Sequence, residues 1–263
     1  MKSVVITGST RGIGYGLADA FLGLGCTVTV SGRAQASADK AAEELAVTHP
    51  ADRILAHACD VTRYEQVQGL WDAARERFGR VDNWINNAGL SQRAVPVWEL
   101  DPEQVQTIVQ TNITGSMYGA AVAMSGMIEQ GAGAIYNLEG FGSDGRKMSG
   151  LSIYGTSKYG LVYLTDALVE EAKGTPVLVG AIRPGMVVTD LLVKQPEQTG
   201  EEWERSKRAF NILADRVETV TPYLAEKVLE NERRGARIKW LSSWQVMWRF
   251  MTARWNKRDL FAD

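Results

Sequence analysis

The stretch "SVVITGSTRGIGYGLADAFLGLG", residues 3–25, passes from a β-branched run through a glycine-rich turn into a segment with helical spacing. Val4, Val5 and Ile6 read as a short buried strand that breaks at Gly8. In the turn, Gly8 stands where the chain must bend tightly, Gly12 where backbone must approach a phosphate, and Gly14 where helix must meet sheet. Ser9, Thr10, Arg11 and Ile13 complete the loop. The free N–H groups and positive dipole end of the following helix suit a pyrophosphate. An ordinary βα loop can also carry glycines. A strand before the turn and a helix after it, at the start of the domain, weigh toward a nucleotide site.

Outward from this unit the alternation continues. "CTVTVSG" (26–32), "RILAHACDV" (53–61), "VDNWINNAG" (81–89), "GAIYNL" (133–138) and "PVLVGAIRPG" (176–185) read as strands. Helical spacing fills 37–49, 63–78, about Pro102 to Gln130, and Tyr154 to about Ala172. Such alternation predicts an α/β fold: a doubly wound parallel sheet with helices on both faces. The 263 residues suit a single domain. Residues 1–190 form the dinucleotide-binding core with the catalytic residues. Residues 191–263 add further helical segments, a last strand at "ARIKWL" (236–241) and a Trp-rich tail. In that second part, Trp203, Phe210, Leu213 and Val217 share a stripe, and "TPYLAEKVL" opens with Thr221 as N-cap and Pro222 at the first helical position. The tail spaces Trp240, Trp244, Trp248, Met251 and Trp255 on another stripe, flanked by Arg249, Arg254, Lys257 and Arg258.

Composition narrows the function. A net charge of −2 leaves no electrostatic footprint for nucleic acid. Cys26 and Cys59 cannot build a disulfide framework and suit a reducing compartment. His49 and His57 are too few for a His-ligated metal site, so no metal is expected. No apolar stretch approaches the roughly 20 residues of a transmembrane helix, and "MKSVVITGST" is neither a signal nor a transit peptide. The expected location is a bacterial cytoplasm, or a plastid where a targeting segment has been removed.

The second strand ends in Ser31, Gly32 and Arg33, with no carboxylate to hold a ribose diol. Two guanidiniums, Arg33 and Arg11, then favour the 2′-phosphate of NADP(H). A solvated loop arginine is the plainer reading of Arg33, and the missing acid argues against it. Asp60 and Val61 end the third strand, where an adenine edge would lie. Farther on, Tyr154 and Lys158 lie one helical turn apart. A phenol of pKa about 10 is a poor acid–base at neutral pH unless a nearby ammonium favours its phenolate. Lys158 supplies that charge. Alone, such a pair is common on surface helices.

Together with "NNAG" (86–89), Asn112 and "RPGMVVT" (183–189), these motifs make residues 3–190 resemble the short-chain dehydrogenase/reductases. The resemblance implies a seven-stranded Rossmann sheet and hydride transfer to or from a carbonyl. It implies Tyr154 as proton donor, Lys158 on the nicotinamide ribose and lowering the phenol pKa, and Asn112 holding a proton-relay water. Asn87, Ala88 and Gly89 would border the cofactor, while Pro184, Gly185, Val187 and Thr189 would grip its carboxamide. It also implies a homodimer or homotetramer built from the helices holding Asn112 and Tyr154, and a mobile lid after Leu191.

Within that family, "YNLEGFGSDG", "YGTSK", "PGMVVTDLL" and "FMTARW" resemble the chlorophyll(ide) b reductases, which reduce a 7-formyl group to hydroxymethyl. The implied function is an NADPH-dependent carbonyl reductase acting on a small-molecule carbonyl, in the narrowest reading a tetrapyrrole. A ketoreductase for an unrelated carbonyl and a non-catalytic NADP(H)-binding protein are the other readings; the intact Asn112, Tyr154 and Lys158 argue against the latter.

One family feature is missing. The family's serine stands twelve to fourteen residues before the tyrosine, where this chain has Gly142, Phe141 and Gly140. Ser143, eleven before, is expected to polarise the carbonyl, ahead of a backbone N–H of the glycine bend. A turn residue capping its own loop is the plainer reading of Ser143. Glu139 and Asp144 are candidate polar contacts for substrate. The region after Leu191 is expected to form a large apolar cleft. Of the tail's tryptophans, most are expected to pack on their own domain or across a dimer.

Overall fold

The computed structural model describes residues 1–189, 207, 210–253 and 258–260. Trp203, Arg254, Trp255, Lys257 and most of the expected lid lie outside them. The elements are β1 (Ser3–Ile6), α1 (Gly12–Gly23), β2 (Thr27–Gly32), α2 (Gln35–Ala46), β3 (Ile54–Ala58), α3 (Tyr64–Phe78) and β4 (Asn83–Asn86). Next come α4 (Pro102–Val109), a π-helical turn (Gln110–Thr114), α5 (Gly115–Gln130), β5 (Gly133–Leu138), α6 (Ser152–Glu171), β6 (Val177–Arg183) and β7 (Met186–Val188). The last are β8 (Ala214–Arg216), α7 (Val217–Glu230), β9 (Arg237–Lys239) and α8 (Ser243–Thr252).

Seven strands form one sheet in the order β3-β2-β1-β4-β5-β6-β9, every neighbouring pair parallel. Both faces are covered, and β1 shows why its residues are apolar without alternation. Val4 and Ile6 enter one core cluster with Leu17, Phe21 and Leu224. Val5, pointing the other way, joins Trp71, Trp84 and Met127. Strands β7 and β8 pair separately beyond the C-terminal end of β6.

Polar side chains inside the sheet are matched in series. Trp84 Nε1 donates to Asn86 Oδ1 at 2.8 Å, and Asn86 Nδ2 donates to Asn137 Oδ1 at 2.9 Å. Asn137 Nδ2 then donates to Thr165 Oγ1 at 2.9 Å, joining β4, β5 and α6. Buried amides cost little when satisfied in this way. Gly119 on α5 must stay small beside them: a β-carbon there would lie 2.1 Å from Asn86 Oδ1.

Two local expectations are corrected. The helical stretch from Pro102 to Gln130 is not uniform, because a π turn centred on Asn112 interrupts it. Thr221 is no N-cap either: α7 starts at Val217, and Pro222 lies inside it. Burial explains this helix, since Val220, Leu224, Ala225 and Val228 all reach the core. The Thr221 hydroxyl donates back to the Val217 carbonyl at 2.9 Å, in the turn that Pro222 disturbs. No helix among the described residues is long and apolar enough to cross a membrane. Nor do the described residues hold a His, Cys, Asp or Glu cluster that could bind a metal.

Candidate active site

One cavity of about 1630 Å³ opens along the C-terminal edge of the sheet. Its walls bring together Gly8, Thr10, Arg11, Gly12, Ile13, Gly14, Arg33, Asp60, Val61, Asn87, Ala88 and Gly89 with Ser143, Tyr154, Lys158, Pro184, Gly185, Val187 and Thr189. Two sequence-predicted residues, Ser9 and Asn112, are not on the wall.

The glycine loop is built by close approach. Gly8 has φ +63°, and a β-carbon on it would lie 2.8 Å from Ala88 Cα. A β-carbon on Gly14 would lie 2.4 Å from Asn87 Nδ2. That amide donates to the Thr7 and Gly8 carbonyls at 2.8 and 2.9 Å. The Thr7 hydroxyl accepts in return from the Asn87 and Ala88 N–H groups. At the start of α1, Arg11 offers no side-chain cap. A side-chain-free cradle at an uncapped helix N-terminus fits a dinucleotide pyrophosphate. Ser9 faces inward: its hydroxyl donates to Ile6 O at 2.7 Å and accepts from Ser31 N at 2.9 Å. It ties the loop to β2. Arg11 and Arg33 are exposed on the wall, and Lys40 stands there too, 3.8 Å from Glu44.

Tyr154 is the third residue of α6, and Lys158 follows one turn later. Lys158 is buried; its Nζ donates to Leu138 O at 2.9 Å and lies 5.9 Å from the Tyr154 ring centroid. Burial pushes the Tyr154 phenol up to about 12. Burial also lowers the Lys158 ammonium to about 8, partly offset by the Glu139 carboxylate. The expected depression of the phenol by Lys158 is therefore not seen; desolvation of both groups wins.

The position facing the tyrosine hydroxyl is Gly140. A β-carbon there would lie 2.6 Å from Tyr154 Oη. The bend continues through Gly142, at φ +95°, whose missing β-carbon would sit 2.7 Å from Gly155 Cα on α6. Ser143 lies at the wall, but its hydroxyl donates to Gly140 O at 2.5 Å. As placed, its proton closes its own loop. The Gly140 and Phe141 N–H groups meet no backbone acceptor among the described residues. Glu139 and Asp144 are both answered by cations. Glu139 is paired with Arg183, and with Arg237 at 3.4 Å; Asp144 takes Arg146 at 2.7 Å.

Asn112 works from behind the wall. Its Oδ1 accepts from Leu90 N at 2.8 Å, and Nδ2 donates to Leu90 O and Ser157 Oγ, each at 2.9 Å. Both side-chain amide protons are committed, and its main-chain carbonyl accepts from Ser116 Oγ. Its side chain thus clamps Leu90 and Ser157. Gln92, which the sequence did not single out, accepts from Ile153 N and Tyr154 N at 2.8 Å each. No local pattern announces a partner 61 and 62 residues away.

At the open end, Phe210, Leu213, Leu241, Ser242 and Val246 complete the wall. Among the described residues the tail contributes through Leu241, Ser242 and Val246 and not through Trp240, Trp244 or Trp248. Trp240 packs on its own domain, edge-on to Tyr223 at 5.4 Å with Nε1 donating to Asp215 at 2.6 Å. Trp244 and Trp248 do not: they are 63% and 55% exposed. Of the two packings expected for the tail's tryptophans, Trp240 thus shows the one on its own domain, while Trp244 and Trp248 leave the one across a dimer as an expectation.

Residues 2–200 match the family model described as short chain dehydrogenase. The chain is 33% identical to the probable chlorophyll(ide) b reductase NYC1, chloroplastic, of Oryza sativa subsp. japonica, covering 100% of this chain and 54% of that protein. It is 35% identical to the chlorophyll(ide) b reductase NOL, chloroplastic, of the same plant, over 86% of this chain and 66% of that protein. It therefore spans about half and just under two thirds of these relatives. Among solved structures, 3-ketoacyl-(acyl-carrier-protein) reductase from Brucella melitensis complexed with NADH superposes with a TM-score of 0.77. It is 25% identical and covers 90% of this chain and 96% of that one.

Lys158 makes stability depend on pH in a stated direction. Its value is near 8 folded against an ordinary 10.5, so between these the unfolded chain binds more protons and stability rises with pH. Lys158→Met should remove that component. Urea midpoints for both proteins from pH about 7.5 to about 10 check it; an equal rise in the two would show that the ammonium is not desolvated.

Proposed function

The chain belongs to the short-chain dehydrogenase family, and from that premise we propose that it is an NADPH-dependent carbonyl reductase acting on a formyl-bearing chlorin. The family makes it an oxidoreductase of carbonyl and alcohol groups that uses a nicotinamide cofactor. The observation that carries the reading is the half-buried Tyr154, its hydroxyl set against Gly140 and near Lys158, in the same cavity as the glycine loop. Two relatives named as chlorophyll(ide) b reductases support the chlorin. Arg11 and Arg33, with no acid at the end of β2, support NADPH over NADH.

In this reading the first N–H groups of α1 hold the pyrophosphate, and Arg11 and Arg33 hold the 2′-phosphate. Asp60 and Val61 border the adenine, Asn87, Ala88, Gly89 and Lys158 the nicotinamide ribose, and Pro184, Gly185, Val187 and Thr189 the carboxamide. Bound NADPH supplies the hydride for the carbonyl carbon. Tyr154 gives its proton to the carbonyl oxygen as negative charge develops there. A phenol held near 12 stays protonated across the neutral range, as a donor must. Lys158 faces the phenolate left behind. The Gly140 and Phe141 amides polarise the carbonyl, taking the part of the absent serine. The exposed Val109, Met117, Tyr159 and Tyr163 on α4 to α6 support a homodimer or homotetramer through those helices.

The direct test is NADPH oxidation with a formyl-bearing chlorin and with small aldehydes. Tyr154→Phe should keep NADPH binding while slowing turnover by roughly 10²–10⁴; near-normal rates in that variant would sink the mechanism. If the parent reduces small aldehydes but neither binds nor reduces the chlorin, the substrate is another carbonyl and the reductase reading stands.

Arg33→Asp should narrow or reverse a clear preference for NADPH over NADH. Equal dissociation constants of the two cofactors for the parent would contradict the assignment. Ser143→Ala should change turnover by less than about tenfold, because its proton is used within the loop. A fall of about 10²–10³, the scale of one lost oxyanion donor, would return the polarising role to its hydroxyl.

A further inference from the structure

Helix α6 has no capping side chain at its own N-terminus, where Leu151 stands. The acceptor comes from a distant residue. Gln92 Oε1 takes the N–H groups of Ile153 and Tyr154, the second and third residues of the helix, at 2.8 Å each. One oxygen thus serves two of the N–H groups that a helix start leaves open. The two donors also fix which way the amide is turned, since an NH₂ group could not accept from them.

Gln92 is 2% exposed, and its Nε2 meets no acceptor among the described residues. An orphaned buried donor costs stability, and a methionine would fill similar space without one. Packing alone therefore does not call for glutamine here. The oxygen does something that an apolar residue cannot.

The other end of the same residue is held as well. Tyr154 O accepts from Ser157 Oγ at 2.7 Å, and Ser157 Oγ accepts from Asn112 Nδ2 at 2.9 Å. Asn112 in turn fixes Leu90, two residues before Gln92, through both its N–H and its carbonyl. The backbone N–H and C=O of Tyr154 are thus tied by separate bonds to the loop at 90–92.

We infer that Gln92 is a positioning residue for Tyr154, setting the start of α6 so that the phenol meets the carbonyl oxygen at proton-transfer distance. The inference rests on Tyr154 being the proton donor. Transfer needs heavy atoms about 2.6–3.2 Å apart, and a misplacement of about 1 Å can cost about 10²-fold.

The test compares Gln92→Met, which keeps volume and removes the acceptor, with Gln92→Glu, which keeps the acceptor and removes the orphaned donor. A carboxylate is also favourable at a helix N-terminus. Turnover of an aldehyde that the parent reduces, the KM for NADPH and amide hydrogen exchange in the segment holding Ile153 and Tyr154 are measured on the full chain. Gln92→Met should lose exchange protection there and lower kcat at least about tenfold, with the KM for NADPH within about twofold. Gln92→Glu should restore both. A folded Gln92→Met with kcat within twofold of the parent overturns the inference, as does a Gln92→Glu no better than Gln92→Met. Should Gln92→Met not fold, Gln92→Glu decides alone: parental protection and kcat support the inference, and loss of either overturns it. Should the parent reduce no carbonyl at all, the reductase reading fails. Exchange then decides the anchor by itself, and unchanged protection in Gln92→Met overturns it.

Discussion

The amide of Asn87, donating to the carbonyls of Thr7 and Gly8, holds the site at the one place where the sheet order reverses. Strands β2 and β3 lie on one side of β1, and β4, β5 and β6 on the other, so the loops leaving β1 and β4 diverge and leave a crevice between them. Asn87 closes the floor of that crevice from the β4 side. Its side chain occupies the space a β-carbon on Gly14 would need, and Ala88 does the same for Gly8. The loop is therefore fixed by backbone carbonyls, while the first N–H groups of α1 stay uncapped by a side chain at its mouth.

Much of this was legible because it is local. The run "GAIYNL" coincides with β5, bounded by Gly133 on one side and a glycine bend on the other. The glycine loop, the "NNAG" turn, the Tyr154–Lys158 pair and the "PGMVVT" turn all reach one cavity wall, since each follows a strand's C-terminal end or opens α6. Side-chain direction was not legible in the same way. Ser9 and Asn112 have the right positions in their motifs, yet both turn their polar atoms into the protein. The π turn at Asn112 and the helical Pro222 escape periodicity because tertiary burial overrides local preference there.

The tail shows a different failure of pattern. Arg249 and Arg258 read in the sequence as cations flanking an apolar stripe. Both instead reach the buried carboxylate of Asp215, at 2.8 and 2.6 Å, beside the indole of Trp240 at 2.6 Å. Burial pushes that carboxyl up, but the bonds from Trp240, Arg249 and Arg258 outweigh it and leave it below its ordinary range. This anchor sets α8 so that Val246 faces the cavity while Trp244, Met247, Trp248 and Met251 face outward. Removing the tail would expose the Asp215 charge together with the cavity wall. The tail's place in the cavity wall is thus inseparable from its contribution to the fold.

The missing serine belongs to the same kind of constraint. Any side chain at position 140 would begin 2.6 Å from the Tyr154 hydroxyl, so a serine there requires the phenol or the bend to shift. The phenol has little freedom to do so. Its backbone is tied at both the N–H and the C=O, and its helix lies against the bend where Gly142 meets Gly155. With glycine at 140, backbone and phenol converge at one point, and in the proposed reading main-chain amides of the bend join the phenol as donors to a carbonyl there. Amides do not rotate or titrate as a hydroxyl does, so their geometry is set by the bend itself. In the proposed reading the shape of residues 139–143 takes the part that elsewhere falls to one side chain.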